Sequence, residues 1–280
     1  MLVSSGFDPV VTNSRLADRA LGITHYFCVP QMATALKDAD GFQPENWSLA
    51  ALFTGGAPNP PANIRWWLER GVAMVDGYGM TEAGTILGMP LDPALISNHA
   101  GAVGQAGPAT AIRIVDAEGR EVQDGTAGEI IVKGPHVTPG YWNRPEERDA
   151  AFTPDGWLRT GDIGLRDADG FVTVVDRRKD MFISGGENVY PVEIESVLAE
   201  HPAVLQVAVI GVPDPRWGEA GHAFVILSPG WEDAEGELRA HCEARLARFK
   251  VPKHFRIVTE LPRTSTGKIR KNKLRESLSA

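Results

Sequence analysis

Over the first 90 residues, short apolar runs alternate with stretches of helical spacing. Residues 24–29, 49–54 and 72–76 are runs of the length expected for strands buried in a sheet. Between the last two, Ile64, Trp67 and Leu68 follow Pro60-Pro61 at the spacing of a helix that shows one face to a core. Strands alternating with helices predict an α/β layer of parallel strands with crossover helices. In that architecture ligands gather beyond the carboxyl ends of the strands, where Gly55-Gly56-Ala57-Pro58 and Gly77-Tyr78-Gly79 both fall.

The pattern changes between Gly101 and Asp176. Apolar segments become short and are broken by Gly and Pro: 111–115, 128–133, and 171–175 after the turn Asp167-Ala168-Asp169-Gly170. A small β-barrel or an antiparallel sheet is expected there. The last hundred residues mix both periods. Pro191 is placed to open a helix whose stripe is Ile194, Val197 and Leu198. Residues 204–212, 223–227 and 255–258 are strand-like, and Leu238, Cys242, Leu246 and Phe249 line one side of a second helix. The expected organisation is therefore a partial α/β subdomain over 1–100, a β-barrel-like subdomain over 101–176, and an α+β domain over 177–280. The boundary lies in the charged run Asp176-Arg177-Arg178-Lys179-Asp180.

Composition narrows the class. With 280 residues and 43% apolar content the chain has enough material for one or two real cores. The net charge of -8 argues against bulk nucleic-acid binding. The end of the chain is nevertheless basic, with Glu260 the one acid among many Lys and Arg from Arg245 to Arg275. Two cysteines, Cys28 and Cys242, both in apolar surroundings, indicate neither a disulfide framework nor a zinc site. No stretch approaches the roughly 20 apolar residues of a membrane span, and no signal peptide opens the sequence, so the cytoplasm is the expected location.

Chemistry-bearing residues come in blocks. Pro262-Arg263-Thr264-Ser265-Thr266-Gly267-Lys268 has the composition of a polar loop delivering one ammonium, suited to a carboxylate or phosphate oxygen. It is not a Walker phosphate loop, because Ile269 stands where Ser or Thr is needed and no Gly opens the run. Asp76-Gly77-Tyr78-Gly79-Met80-Thr81-Glu82 reads as a glycine turn with a flat ring, a hydroxyl and a carboxylate. Arg159-Thr160-Gly161-Asp162, the 176–180 run and Ser184-Gly185-Gly186-Glu187-Asn188-Val189 lie between these two blocks.

In this order, and from about Phe7 to the end, the blocks closely resemble the adenylate-forming superfamily of acyl-CoA synthetases, luciferases and peptide-synthetase adenylation domains. The resemblance implies an ATP-dependent acid-thiol ligase: a carboxylic acid is activated as acyl-AMP and passed to coenzyme A. It implies a small mobile C-terminal domain pivoting at Lys179. It also implies roles for residues. Lys268 contacts the carboxylate and the adenylate oxygen. Thr81 donates to the α-phosphate, and Glu82 holds Mg2+. Asp162 accepts from the ribose hydroxyls, and Arg177 supports ribose and phosphate. Tyr78 covers adenine, within a nucleotide pocket formed by Gly55, Gly56, Ala57, Asp76, Gly77, Gly79 and Met80. Gly185, Gly186 and Glu187 line the path of the CoA pantetheine, and part of the basic C-terminal stretch attracts CoA phosphates. Trp217-Gly218-Glu219 follows the family pattern without an assigned role.

One family element has no counterpart. The Thr/Ser/Gly-rich loop that grips the ATP phosphates, well upstream of the tyrosine block, is missing, so the chain is expected to be the second half of such an enzyme, poorly soluble or self-associating and inactive alone. Two other readings stay open: a non-catalytic AMP- or CoA-binding module, and an adenylation domain loading a carrier protein. Homo-oligomerisation is also open. The visible wall of the acyl pocket is Phe27, Val29, Pro30, the Gly55 loop and residues 84–88. It is apolar and favours a fatty or aromatic acid.

Overall fold

A computed structural model describes residues 6–57, 59–264 and 269–278. The chain divides into two compact units, residues 1–160 with 164–174 and residues 161–163 with 175–280.

The first unit opens with α1 (Pro9–Ala17), β1 (His25–Cys28), α2 (Pro30–Asp38), β2 (Ala51–Gly55), α3 (Pro61–Leu68) and β3 (Met74–Met80), followed by β4 (Gly84–Gly88), α4 (Pro93–Asn98) and β5 (Gln105–Ala106). Proline is the first residue of every one of these helices, where its missing N–H costs nothing and its fixed φ already suits the helix. The sheet order is β1-β2-β3-β4-β5. The first three strands are parallel, as the alternation of strand and helix requires, and β4 and β5 continue antiparallel. Leu36, Leu52, Ile64, Trp67 and Met74 fill the core between helices and sheet. Around Trp67 stand Phe42, Trp47 and Trp66, with ring centroids 5.2–5.8 Å apart.

The glycine block is not the turn the sequence suggested. Strand β3 continues through Gly77, Tyr78 and Gly79 to Met80, with a register shift against β4 between Tyr78 and Gly79, and the chain reverses at 81–83 into β4. The glycines serve close approach instead: a Cβ on Gly79 would lie 2.2 Å from the Gly84 carbonyl oxygen.

The second sheet comprises β6 (Ala111–Val115), β7 (Gly128–Lys133), β8 (Leu158–Arg166) and β9 (Val172–Arg177), with α5 (Pro145–Ala151) between β7 and β8. Its order is β6-β7-β8-β9. The expected barrel does not close: among the described residues no ladder joins β6 to β9. A sheet of four strands is far from the roughly eight of a side-chain-filled barrel. It buries its apolar face against another element instead, with Ile114, Ile130, Val132 and Leu158 packing on Ala83, Ile86 and Leu87 of the β3–β4 hairpin.

The second unit holds β10 (Phe182–Ser184), β11 (Glu187–Val189), α6 (Pro191–Ala199), β12 (Val204–Asp214), β13 (Gly218–Leu227), α7 (Glu235–Glu243), β14 (His254–Ile257) and α8 (Lys271–Glu276). The order is β11-β10-β13-β12, with β14 parallel to β13. Side chains alternate across the two long strands as a period of two demands. Val209, Ala223 and Val225 join Ile194, Leu198, Leu238 and Cys242 on one face. Ala208, Ile210 and Phe224 meet Leu261 and Leu274 on the other. Helix α7 is shorter than its apolar stripe suggested. It ends at Glu243, and Leu246 and Phe249 pack on the same core from the segment beyond it, with Phe249 in a 3-10 turn. The stripe marks a shared core contact, not a continuous helix.

Candidate functional site

The first unit presents its site residues at the carboxyl ends of β2 and β3. Asp76 is buried at the end of the apolar stretch, and one oxygen of its carboxylate, Oδ1, takes two hydrogen bonds. It accepts from the Thr54 hydroxyl and from Asn59 Nδ2 at 3.0 Å. Burial pushes its pKa up, and the bonds from Thr54 and Asn59 oppose that rise. The network continues outward: Asn63 Nδ2 donates to Asn59 Oδ1 at 2.8 Å, and Lys37 Nζ donates to Asn63 Oδ1. Lys37 also lies 4.1 Å from the centroid of Trp66. Asp76 thus ties β3 to β2 and to the segment leading into α3. That segment follows Gly55, the last residue of β2, and contains Gly56 and Ala57, with Pro58 outside the described residues.

Gly55 and Gly77 are register partners, and a Cβ on Gly55 would meet the Gly77 oxygen at 3.0 Å. Beyond them Tyr78 is half-buried, Met80 is half-buried, and Thr81 is exposed at the hairpin tip. The half-buried Glu82 is fastened twice: its carbonyl accepts from Thr138 N at 2.7 Å, and its Oε1 accepts from the Tyr141 hydroxyl at 3.0 Å. Burial and the neighbouring carboxylate raise the Tyr141 pKa. Next to the hairpin, residues 85–90 and 105–108 border a groove of ≈ 350 Å³. Phe27, expected in the acyl wall, is 73% exposed.

In the second unit Asp162 and Arg177 face each other, with Oδ1 3.6 Å from Nε. The two chain segments are joined by the bond from Arg178 N to Gly161 O, 2.8 Å. Asp176 is buried and caps the turn and the start of α6, accepting from Arg177 N at 2.7 Å and from Val192 N at 2.9 Å. Its pKa is raised by burial, against the pull of Lys271. Lys179 is exposed in the turn that follows β9. Gly185 and Gly186, at φ 63° and 88°, form the two-residue turn of the β10–β11 hairpin, a conformation only glycine adopts cheaply at both positions. Glu187 follows on β11 and is exposed. Trp217 lies beneath this turn: its carbonyl accepts from Gly185 N at 2.8 Å, and a Cβ on Gly185 would strike its ring at 2.7 Å. Lys268 lies outside the described residues.

Tyr141, Asn59 and the seating of Trp217 escape a reading of the sequence. Only Trp217 lies in a block that the sequence singles out. The basic C-terminal stretch is largely consumed by ion pairs, Lys250 with Glu193 at 2.7 Å, Lys253 with Asp214 at 2.7 Å, Lys271 with Glu195 at 2.8 Å and Arg275 with Asp180 at 3.3 Å. For a hard cation, the half-buried Glu82 carboxylate is an oxygen donor of the right kind. A second acidic group, His99 with Asp167 and Asp169, is less open: each imidazole nitrogen faces a different carboxylate, at 2.9 Å and 3.8 Å, and the ring stacks on Phe171. There the histidine is a strut between loops.

The AMP-binding enzyme family matches residues 3–142, and the AMP-binding enzyme C-terminal domain matches residues 193–268. The chain belongs to the AMP-binding enzyme family. It is 42% identical over 276 residues to a feruloyl-CoA synthase of Amycolatopsis sp, covering 98% of this chain and 55% of that protein. ATP-bound MatB from Rhodopseudomonas palustris superposes with a TM-score of 0.91 at 36% identity, covering 99% of this chain and 54% of that one. The o-succinylbenzoate CoA synthetase MenE of Bacillus subtilis, in complex with the acyl-adenylate OSB-AMP, gives 0.86 at 36%, covering 96% and 54%. The chain spans about half the length of these relatives.

Proposed function

We propose that this chain supplies the adenylate-binding and thiol-side parts of an acid–CoA ligase acting on an aromatic or fatty carboxylic acid. In the first half-reaction a carboxylate oxygen attacks the α-phosphorus of ATP; the new O–P bond replaces the bond to the β-phosphate, and pyrophosphate leaves. In the second, the CoA sulfur attacks the acyl carbon, the bond to AMP breaks, and the thiol proton is lost. The observation that carries this reading is the end of β3, where a ring, a hydroxyl and a carboxylate, those of Tyr78, Thr81 and Glu82, are offered within five residues above the locked Asp76.

In this reading Tyr78 stacks on adenine, bounded by Gly55, Gly56, Ala57, Gly77, Gly79 and Met80. Asp162 takes the ribose hydroxyls, and Arg177, already oriented by Asp162, neutralises phosphate. Thr81 donates to the α-phosphate, and Glu82 holds Mg2+, which when bound offsets charge on the phosphate oxygens. Lys268 supplies a cation to the carboxylate, Lys179 is the pivot, and Gly185, Gly186 and Glu187 border the pantetheine path, with Trp217 as the floor of that turn. Support for an aromatic acid comes from the relatives named for feruloyl and o-succinylbenzoyl substrates and from the apolar groove beside β4.

The test is calorimetric titration of the chain with AMP, together with thioester formation from a preformed aryl adenylate and CoA. Asp162→Ala and Tyr78→Ala are each expected to weaken AMP by about tenfold, as loss of a charge-assisted bond or a stacking face does. AMP binding indifferent to both substitutions would overturn the reading.

A further inference from the structure

We infer that Tyr141 is a positioning residue for the cation-holding carboxylate, fixing Glu82 so that one oxygen is held by the phenol and the other is left to the metal–phosphate complex. The inference rests on the reading of Glu82 given above.

Glu82 sits just past the tip of the β3–β4 hairpin, on a side chain with three free torsions and considerable entropy to lose. Two bonds reach this residue from the 138–141 loop, one holding its backbone and one restraining its side chain. Thr138 N fixes the Glu82 carbonyl at 2.7 Å, and the Tyr141 hydroxyl fixes Oε1 at 3.0 Å. The loop is itself braced. The Thr138 hydroxyl donates to Gly140 O at 2.9 Å, and Arg148 Nε donates to Pro139 O at 3.1 Å. Gly140, at φ 150°, leaves room for the Arg148 stem, whose Cγ lies 3.0 Å from where a Cβ would be. A braced loop delivering one phenol to one carboxylate has the form of the outer partners that orient metal ligands. A phenol suits this role because it donates one bond and carries no charge to compete with a cation.

The experiment titrates the full chain with Mn2+ in the presence of ATP, following free ion by electron paramagnetic resonance. It compares the unaltered protein with Tyr141→Phe, Glu82→Gln and the double variant. Tyr141→Phe keeps the ring and its packing, so the melting temperature should be nearly unchanged while the Mn2+ dissociation constant rises by about tenfold. In the Glu82→Gln background the same substitution should change nothing further. Unaltered affinity in Tyr141→Phe, with Mn2+ lost in Glu82→Gln, would overturn the inference and leave the role of Glu82 standing. A Tyr141→Phe effect that persists in the double variant would reduce the residue to packing. Mn2+ uptake indifferent to Glu82→Gln would remove the metal role of Glu82 and the inference with it.

Discussion

Gly79→Ala tests whether the glycine block works by close approach. The added methyl would lie 2.2 Å from the Gly84 carbonyl oxygen and 3.0 Å from both Gly84 C and Thr85 Cα, whereas ordinary contact begins at 3.4 Å. These atoms are backbone of the facing strand, so no side chain can rotate away, and the hairpin must open by about 1.2 Å at that point, the difference between the two distances. Overpacking of this kind costs about 1–3 kcal/mol, and a strained or broken ladder bond adds roughly 1 kcal/mol. For a unit of this size that lowers the melting temperature by about 5–12 °C. Because Tyr78 and Glu82 flank the site of strain, AMP affinity should fall as well. Gly88→Ala is the control: it sits on the same hairpin, opposite Gly77, with nothing within 4 Å of its added methyl. It should change stability by less than about 0.5 kcal/mol. Thermal melts of the two variants beside calorimetric AMP titration decide the matter, and equal behaviour of Gly79→Ala and Gly88→Ala would refute the close-approach argument.

Two further expectations concern buried titrating groups. Burial pushes the Cys28 thiol up to about 12 and the Cys242 thiol up to about 11, so a disulfide exchange reagent at mildly alkaline pH should find neither thiol in the native protein and both in urea; rapid native reaction would contradict the packing. His222, stacked on Phe224 at 4.8 Å, has its pKa lowered from 6.5 to about 4 by burial, with His254 and Arg256 adding to the effect. The unfolded chain therefore binds its proton first. The contribution is present in full above pH 6.5 and is lost as the pH falls toward about 4. Urea unfolding of His222→Phe across that window should show a flatter acid limb than the unaltered protein, and an identical limb would exclude the histidine as its source.

Much of the fold is legible in the sequence because periodicity and proline punctuation coincide. Strands β1 and β2 and helices α3 and α6 begin or end within a few residues of the apolar pattern, since each buries one defined face. The glycine block misleads for a physical reason. Glycine permits both a sharp turn and a close strand pair, and only the partner strand, β4, distinguishes them. Helix α7 is overextended in the sequence pattern because residues beyond its end keep packing on the same core, so the hydrophobic stripe outlasts the hydrogen-bond ladder. Of the proposed site residues, Tyr78, Glu82, Asp162, Arg177 and the Gly185-Gly186 turn stand out by the order of their blocks. Tyr141 does not, because it serves Glu82 across 59 positions of sequence and lies in no periodic segment. Asn59 is hidden similarly: an amide in a loop betrays a buried carboxylate partner only when the strands are in place.

The interleaving of the two units governs how the molecule can be dissected. Residues 161–163 belong with the second unit although 164–174 return to the first, so the chain passes between them more than once. A cleavage within 176–180 yields a C-terminal fragment that begins after the passage it depends on. That fragment keeps Arg177 and Arg178 only if cut early, and in either case lacks Asp162 and the Gly161 carbonyl that hold them. An autonomous C-terminal unit has to begin upstream of Gly161 and carry the β8–β9 hairpin with it, and a circular permutation that keeps both partners together must place its new ends outside residues 158–177.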